Sequence, residues 1–138
     1  MSAASASYLL DTNTCIQILN GHPAAVAALR SRTPAAIRMC SVVIAELSYG
    51  AHNSRSVDAN LVRMRQFCAP FQSLAFDDLA AEECGRLRAE LRRRGKPIGP
   101  NDLLIAAIAR LHDLVLVTHD TVEFSRVPGL RIEDWERA

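Results

Sequence analysis

Short apolar runs alternating with helix-forming segments constrain this chain more than any other feature. Tyr8-Leu9-Leu10, Ile37–Cys40 and Leu114–Val117 are too short for buried helices and suit strands covered on both sides. Gln72–Ala75 and Leu130–Ile132 read as two further short strands. Between them lie helical segments. Thr12–Asn20 is stopped by Asn20-Gly21, and Pro23–Arg32 places its proline in the first turn. Ser41 suits the cap of a helix running to about Tyr49, with Gly50 and Asn53 at its exit. Val57–Phe67 is followed by Asp78–Arg94, which closes at Gly95, and Gly99-Pro100 opens a last helix through Leu111. Strands that alternate with helices give an α/β fold, a three-layer α/β/α sandwich around a mainly parallel sheet with right-handed crossovers.

With 138 residues and no repeat, linker or shift in composition, the chain reads as one domain spanning 1–138. Residues 1–7 are small and polar, without the charged and apolar regions of a signal peptide, and read as a disordered lead-in. No apolar run approaches the ~20 residues that span a bilayer. Cys15, Cys40, Cys68 and Cys84 show no C-x-x-C pairing and no finger-like histidine spacing, so they read as reduced thiols of a cytoplasmic protein. Aromatics at 5% argue against a nucleic-acid site built on base stacking, and a net charge of +1 gives no global field for polyanions. A phosphate-binding Walker loop is excluded because Pro97 follows Gly95-Lys96 and position 90 is Glu90; no G-x-S-x-G or G-x-G-x-x-G occurs either.

Four acids stand in unusual places. Ligands of open α/β sheets collect beyond the carboxyl ends of the strands. Asp11 closes the first strand and Asp120 follows the fourth, so neighbouring strands would bring both carboxylates to one crevice. Each also fits a plain helix cap. Glu46 shares a helix face with Val42, Val43, Tyr49 and Gly50, an apolar stripe in which an uncompensated carboxylate is costly; an edge position or a salt bridge would relieve it. Asp102 precedes Leu103-Leu104-Ile105-Ala106-Ala107 and equally suits the positive end of the helix dipole. Converging carboxylates repel one another, and a hard divalent cation, Mg²⁺ or Mn²⁺, removes that penalty. Such a site suits phosphodiester hydrolysis. Thr12 and Thr118 flank the acids and fit a supporting second layer or ordinary caps.

Leu9-Leu10-Asp11-Thr12-Asn13, Ile44-Ala45-Glu46-Leu47-Ser48-Tyr49-Gly50, Ile98 through Ala107, and Leu116-Val117-Thr118-His119-Asp120 with Glu123-Phe124 resemble, in order, the motifs of VapC-type PIN domains. Val127 through Trp135 resembles that family's closing strand and tail, so the likeness runs from about Tyr8 to Trp135. It implies an Mg²⁺- or Mn²⁺-dependent endoribonuclease, the toxin of a toxin–antitoxin pair, with acids matching Asp11, Glu46, Asp102 and Asp120. It further implies tRNA as substrate, initiator tRNA in the most similar branch. The implied partners are a second copy of the chain and a VapB-type antitoxin whose tail enters the active-site groove. The fourth acidic position, often Asn in that branch, is Asp120 here, and Asn13 matches a residue that fixes the turn of the first motif.

Two other functions remain open on the residues alone. One is an aspartate-nucleophile phosphohydrolase using Asp11, although the second Asp such enzymes place two residues on is Asn13. The other is a non-catalytic regulatory partner of an antitoxin. Arg86, Arg88, Arg92, Arg93, Arg94 and Lys96 form a basic run that fits either an RNA-phosphate grip or a solvated helix end. Tyr49 and Phe124 read as core, and His119 as a neighbour of the site rather than its base.

Overall fold

In β1 (Tyr8–Leu10), Leu9 and Leu10 are both fully buried. Successive strand residues point to opposite faces, so the sheet is covered on both sides, giving three layers. The computed structural model describes residues 6–137. Five strands are described: β1, β2 (Ile37–Cys40), β3 (Gln72–Leu74), β4 (Val115–Val117) and β5 (Ile132–Glu133). Their order is β3-β2-β1-β4-β5 and every pairing is parallel, with Leu9 opposite Leu116 and Leu10 opposite Val117. Chain order therefore reverses between β1 and β4. The neighbour relation on which the convergence of Asp11 and Asp120 depended is present.

The helices are α1 (Thr12–Leu19), α2 (Pro23–Arg30), α3 (Ser41–His52), α4 (Val57–Cys68), α5 (Asp78–Arg93), α6 (Pro100–Leu111) and α7 (Thr121–Phe124), with a 3-10 turn at Pro34–Ala36. Helix α5 packs on α6, α3 on α4, and α1 on α2 and α3. The apolar 3.6 spacing of Ala80, Leu87 and Leu91 makes the buried face of α5, and Leu103, Ile105, Ala106 and Ile108 make that of α6. Helix α1 ends where expected, because Gly21 takes φ +81° and the His22 amide reaches back to the Gln17 carbonyl at 2.9 Å. Gly95 (φ +66°) ends α5 in the same way, with the Lys96 amide on the Leu91 carbonyl.

Some local expectations change. Ser41 does not cap α3: it is the first helical residue after Cys40, and its hydroxyl accepts from the Phe76 amide at 2.9 Å. That helix runs through Gly50 to His52, since a lone glycine weakens a helix without ending it. The last strand is Ile132–Glu133, not Leu130–Ile132. Helix α7 is only one turn, too short to show a period in the sequence. Most of the proposed lead-in, residues 1–5, lies outside the described residues, while the Ser7 carbonyl already accepts from the Val115 amide at 2.9 Å.

A carboxylate site at the switch point of the sheet

The loop leaving β1 turns straight into α1, and Asp11 is its cap: the Asp11 carboxylate accepts from the Thr14 amide at 2.8 Å. Its own amide donates to the Val117 carbonyl at 3.1 Å, and the Thr14 hydroxyl donates to the same carbonyl at 3.1 Å, tying β1 to β4. The capping reading is thus correct and incomplete. Asp11 is 6% exposed, and burial pushes its carboxyl above the ordinary range. Hydrogen bonds from Thr118 and Thr14 oppose that rise, while the Glu136 carboxylate adds to it. Thr118, fully buried, also accepts from the Asp120 amide at 3.0 Å through its hydroxyl. One threonine therefore orders two acids.

Asp120 caps α7, accepting from the Glu123 amide at 3.2 Å. Asp102 arrives from the other direction. In a parallel sheet the crossover helices run against the strands, so the first turn of α6 lies at the strands' carboxyl ends. Ligand oxygens of Asp102, Asp120 and Glu123 all lie within 4.8 Å of one another. Asp102 is half-buried and its carboxyl is pushed up to about 7. Burial is the largest cause, followed by the charge of Glu123, a hydrogen bond with Glu123, and the charges of Asp11 and Asp120.

Glu123 is the residue that the sequence reading left out of the site. Asp120-x-x-Glu123 has the spacing of a capping box, in which the glutamate would turn back to the cap's own amide. Instead the Glu123 carboxylate crosses to the turn before α6 and accepts from the Gly99 amide at 2.7 Å. Only the acid three residues past Asp120 signalled it, and a one-turn helix gives that spacing no meaning in sequence.

Glu46 stands apart from the trio. It is half-buried rather than sealed in the core, and Thr12 donates to its Oε1 at 2.6 Å, which links it to the residue after Asp11. Glu46 lines a groove of about 790 Å³ together with Thr12, Asn13, Tyr49, Asn101 and Leu104. The apolar stripe expected around Glu46 is in part this open wall: Tyr49 is 69% exposed, contrary to its reading as core, whereas Phe124 is buried as expected. Asn13 is exposed on the groove, and the turn it was expected to hold is held by Asp11. His119 is exposed, and its Nδ1 lies 3.1 Å from the Asp134 carboxylate in the tail. Burial pushes the thiols of Cys15, Cys40, Cys68 and Cys84 upward, which favours their protonated form.

A carboxylate cluster at the strand ends of a parallel sheet with order β3-β2-β1-β4-β5 is the arrangement in which residues 8–130 match the PIN domain, and the chain belongs to the PIN-domain family. Among its relatives, a protein of Shigella flexneri named tRNA(fMet)-specific endonuclease VapC is 41% identical over 128 residues, covering 93% of this chain and 97% of the relative. Ribonuclease VapC2 of Haemophilus influenzae (strain ATCC 51907 / DSM 11121 / KW20 / Rd) is 35% identical over 128 residues, with the same coverage. The crystal structure of DNA-bound VapBC from Salmonella typhimurium superimposes with a TM-score of 0.88 at 39% identity, covering 95% of this chain and 99% of that chain. Among the described residues no helix is long and apolar enough to cross a membrane.

Proposed function

We propose that this chain, acting as a single PIN domain in the cytoplasm, is the ribonuclease toxin of a VapBC-type pair. Its substrate is tRNA, initiator tRNA foremost, and it works as a homodimer silenced by a VapB-type antitoxin. The observation that carries the reading is the convergence of Asp102, Asp120 and Glu123 within 4.8 Å beside buried Asp11. The names of its relatives support the substrate and the partner.

The donor set fits a hard divalent cation. Every candidate ligand in the Asp102, Asp120 and Glu123 group is a carboxylate oxygen, and burial, with the charges of Glu123, Asp11 and Asp120 behind it, pushes the Asp102 carboxyl up to about 7. Asp11, Asp102, Asp120 and Glu123 would hold Mg²⁺ or Mn²⁺, with Glu46 completing the acidic wall across Thr12. Such an ion supplies Lewis acidity, offsetting charge that builds on the phosphodiester and acidifying water. The rest of the work belongs to the chain. Thr14 and Thr118 hold Asp11 in one orientation, Thr12 orients Glu46, and the Glu123–Gly99 bond sets the first turn of α6 on which Asp102 rides. The groove carrying Asn13, Asn101 and exposed Tyr49 receives the strand being cut.

Incubating the purified chain with total tRNA in Mg²⁺, Mn²⁺ or EDTA, with Asp11→Asn as control, tests the reading. Discrete fragments that require both metal and Asp11 are expected. Full cleavage in EDTA overturns the metal role, and intact tRNA under every condition, with no co-purified partner in the mass spectrum, overturns the substrate.

A further inference from the structure

Cleaving a polyanion at a cluster of carboxylates poses an electrostatic problem that the whole-chain charge of +1 does not solve. The charge is unevenly spread. Residues 86–96 hold six cations against the one acid Glu90, a formal charge of +5, so the rest of the chain is net negative at −4. The structure divides the six. Arg86 is paired with Glu83 at 3.3 Å and Arg94 with Glu90 at 3.6 Å, both along α5. Arg88 stands a turn further back, beside Cys84. Arg92, Arg93 and Lys96 are exposed and form no ion pair among the described residues.

These three cations sit at the end of α5 and in the turn to α6, and that turn is fastened to the acid site twice. The Arg126 guanidinium donates to the Pro97 carbonyl at 3.0 Å, and the Gly99 amide donates to Glu123 at 2.7 Å. Lys96 is three residues from Gly99, so its backbone lies within about 11 Å of the Glu123 anchor at full extension. Dense, unpaired cations hydrogen-bonded through their turn to a metal-type acid cluster are what a phosphodiester strand needs on its approach.

We infer that Arg92, Arg93 and Lys96 form the phosphate track that holds the substrate RNA beside the acid cluster. The inference rests on the ribonuclease reading and assigns its substrate-gripping surface. The track positions RNA and takes no part in bond cleavage. It acts as fixed positive charge whose binding releases counterions.

The test compares Arg92→Gln/Arg93→Gln/Lys96→Gln with Arg30→Gln/Arg65→Gln, which removes exposed charge from α2 and α4. Binding of fluorescein-labelled total tRNA is measured in EDTA across a salt series, and cleavage kinetics in Mg²⁺. The triple variant is expected to lower the slope of log K against log salt by about 2, at roughly 0.7–0.9 for each phosphate no longer neutralised. Its KM rises tenfold or more with kcat nearly unchanged. The Arg30/Arg65 variant stays close to wild type, and Arg92→Lys/Arg93→Lys retains wild-type KM. An unchanged slope and KM in a triple variant that folds normally overturns the track while leaving the ribonuclease intact. Equal losses in both glutamine variants, a fall in kcat alone, or failure of lysine to substitute overturns it as well. A wild-type chain that neither binds nor cuts tRNA overturns both readings.

Discussion

Replacing Asp102 with asparagine is expected to stabilise the metal-free protein and destabilise the metal-loaded one. In the folded chain the Asp102 carboxyl is raised from an ordinary 3.8 to about 7, first by burial and then by Glu123, Asp11 and Asp120. Between those two values the folded state binds more protons than the unfolded state, so stability falls as pH rises through this window and levels off above about 7. At ~1.36 kcal/mol per pH unit the ceiling is about 4 kcal/mol at pH 8. Because the side chain is only half-buried, solvent screening reduces this to on the order of 1–2 kcal/mol. Urea unfolding in EDTA measures it. Asp102→Asn should gain only about a third of the increment at pH 5 and nearly the full increment at pH 8. Repeating the series in saturating Mg²⁺ reverses the order, since the wild type gains ligand-linked stability that the variant lacks. A variant that is less stable than wild type in EDTA at pH 8, or a gain that does not change with pH, would refute the account of a crowded, charge-frustrated site.

Two other outcomes follow from contacts around that site. Thr12→Val removes the hydroxyl that donates to Glu46 at 2.6 Å and is expected to lower cleavage by about 10- to 100-fold without loss of the fold, read by initial rates and circular dichroism. Arg32 lies 4.7 Å from the Tyr8 ring and 4.5 Å from the Trp135 ring and pairs with Glu133 at 3.4 Å. Arg32→Ala is therefore expected to loosen the C-terminal tail at a cost of about 1–3 kcal/mol, followed by the fluorescence of Trp135, the chain's one tryptophan.

The sequence was most legible where one physical signal acted alone. Fully buried strands leave continuous apolar runs, so β1, β2 and β4 were placed to within a residue. Glycines that must adopt positive φ marked the ends of α1 and α5. Reading failed where two structures use the same residues. Ser41 offers a cap but serves instead as a hydroxyl acceptor for a distant amide, and only the packing of β3 beside β2 makes that amide available. Tyr49 falls on an apolar helical face that opens onto a groove, and periodicity does not distinguish core from groove wall.

By itself the sequence determined the elements and the acids at their ends. The alternation of short apolar runs with helices leaves a covered parallel sheet as the solution that buries them, and Asp11, Asp102 and Asp120 stand at helix starts because those starts follow or face strand ends. Tertiary structure alone decided which acids share charge. Placing β4 against β1 put Asp11 and Asp120 at neighbouring strand ends, and the reversed run of α6 delivered Asp102, which feels the charge of both. The Glu123–Gly99 bond recruited a fifth carboxylate, three residues past Asp120, that no reading of the sequence had placed in the site. Coulomb energy depends on distance through space, and here those distances are set by strand order, which lies outside any local window of the chain.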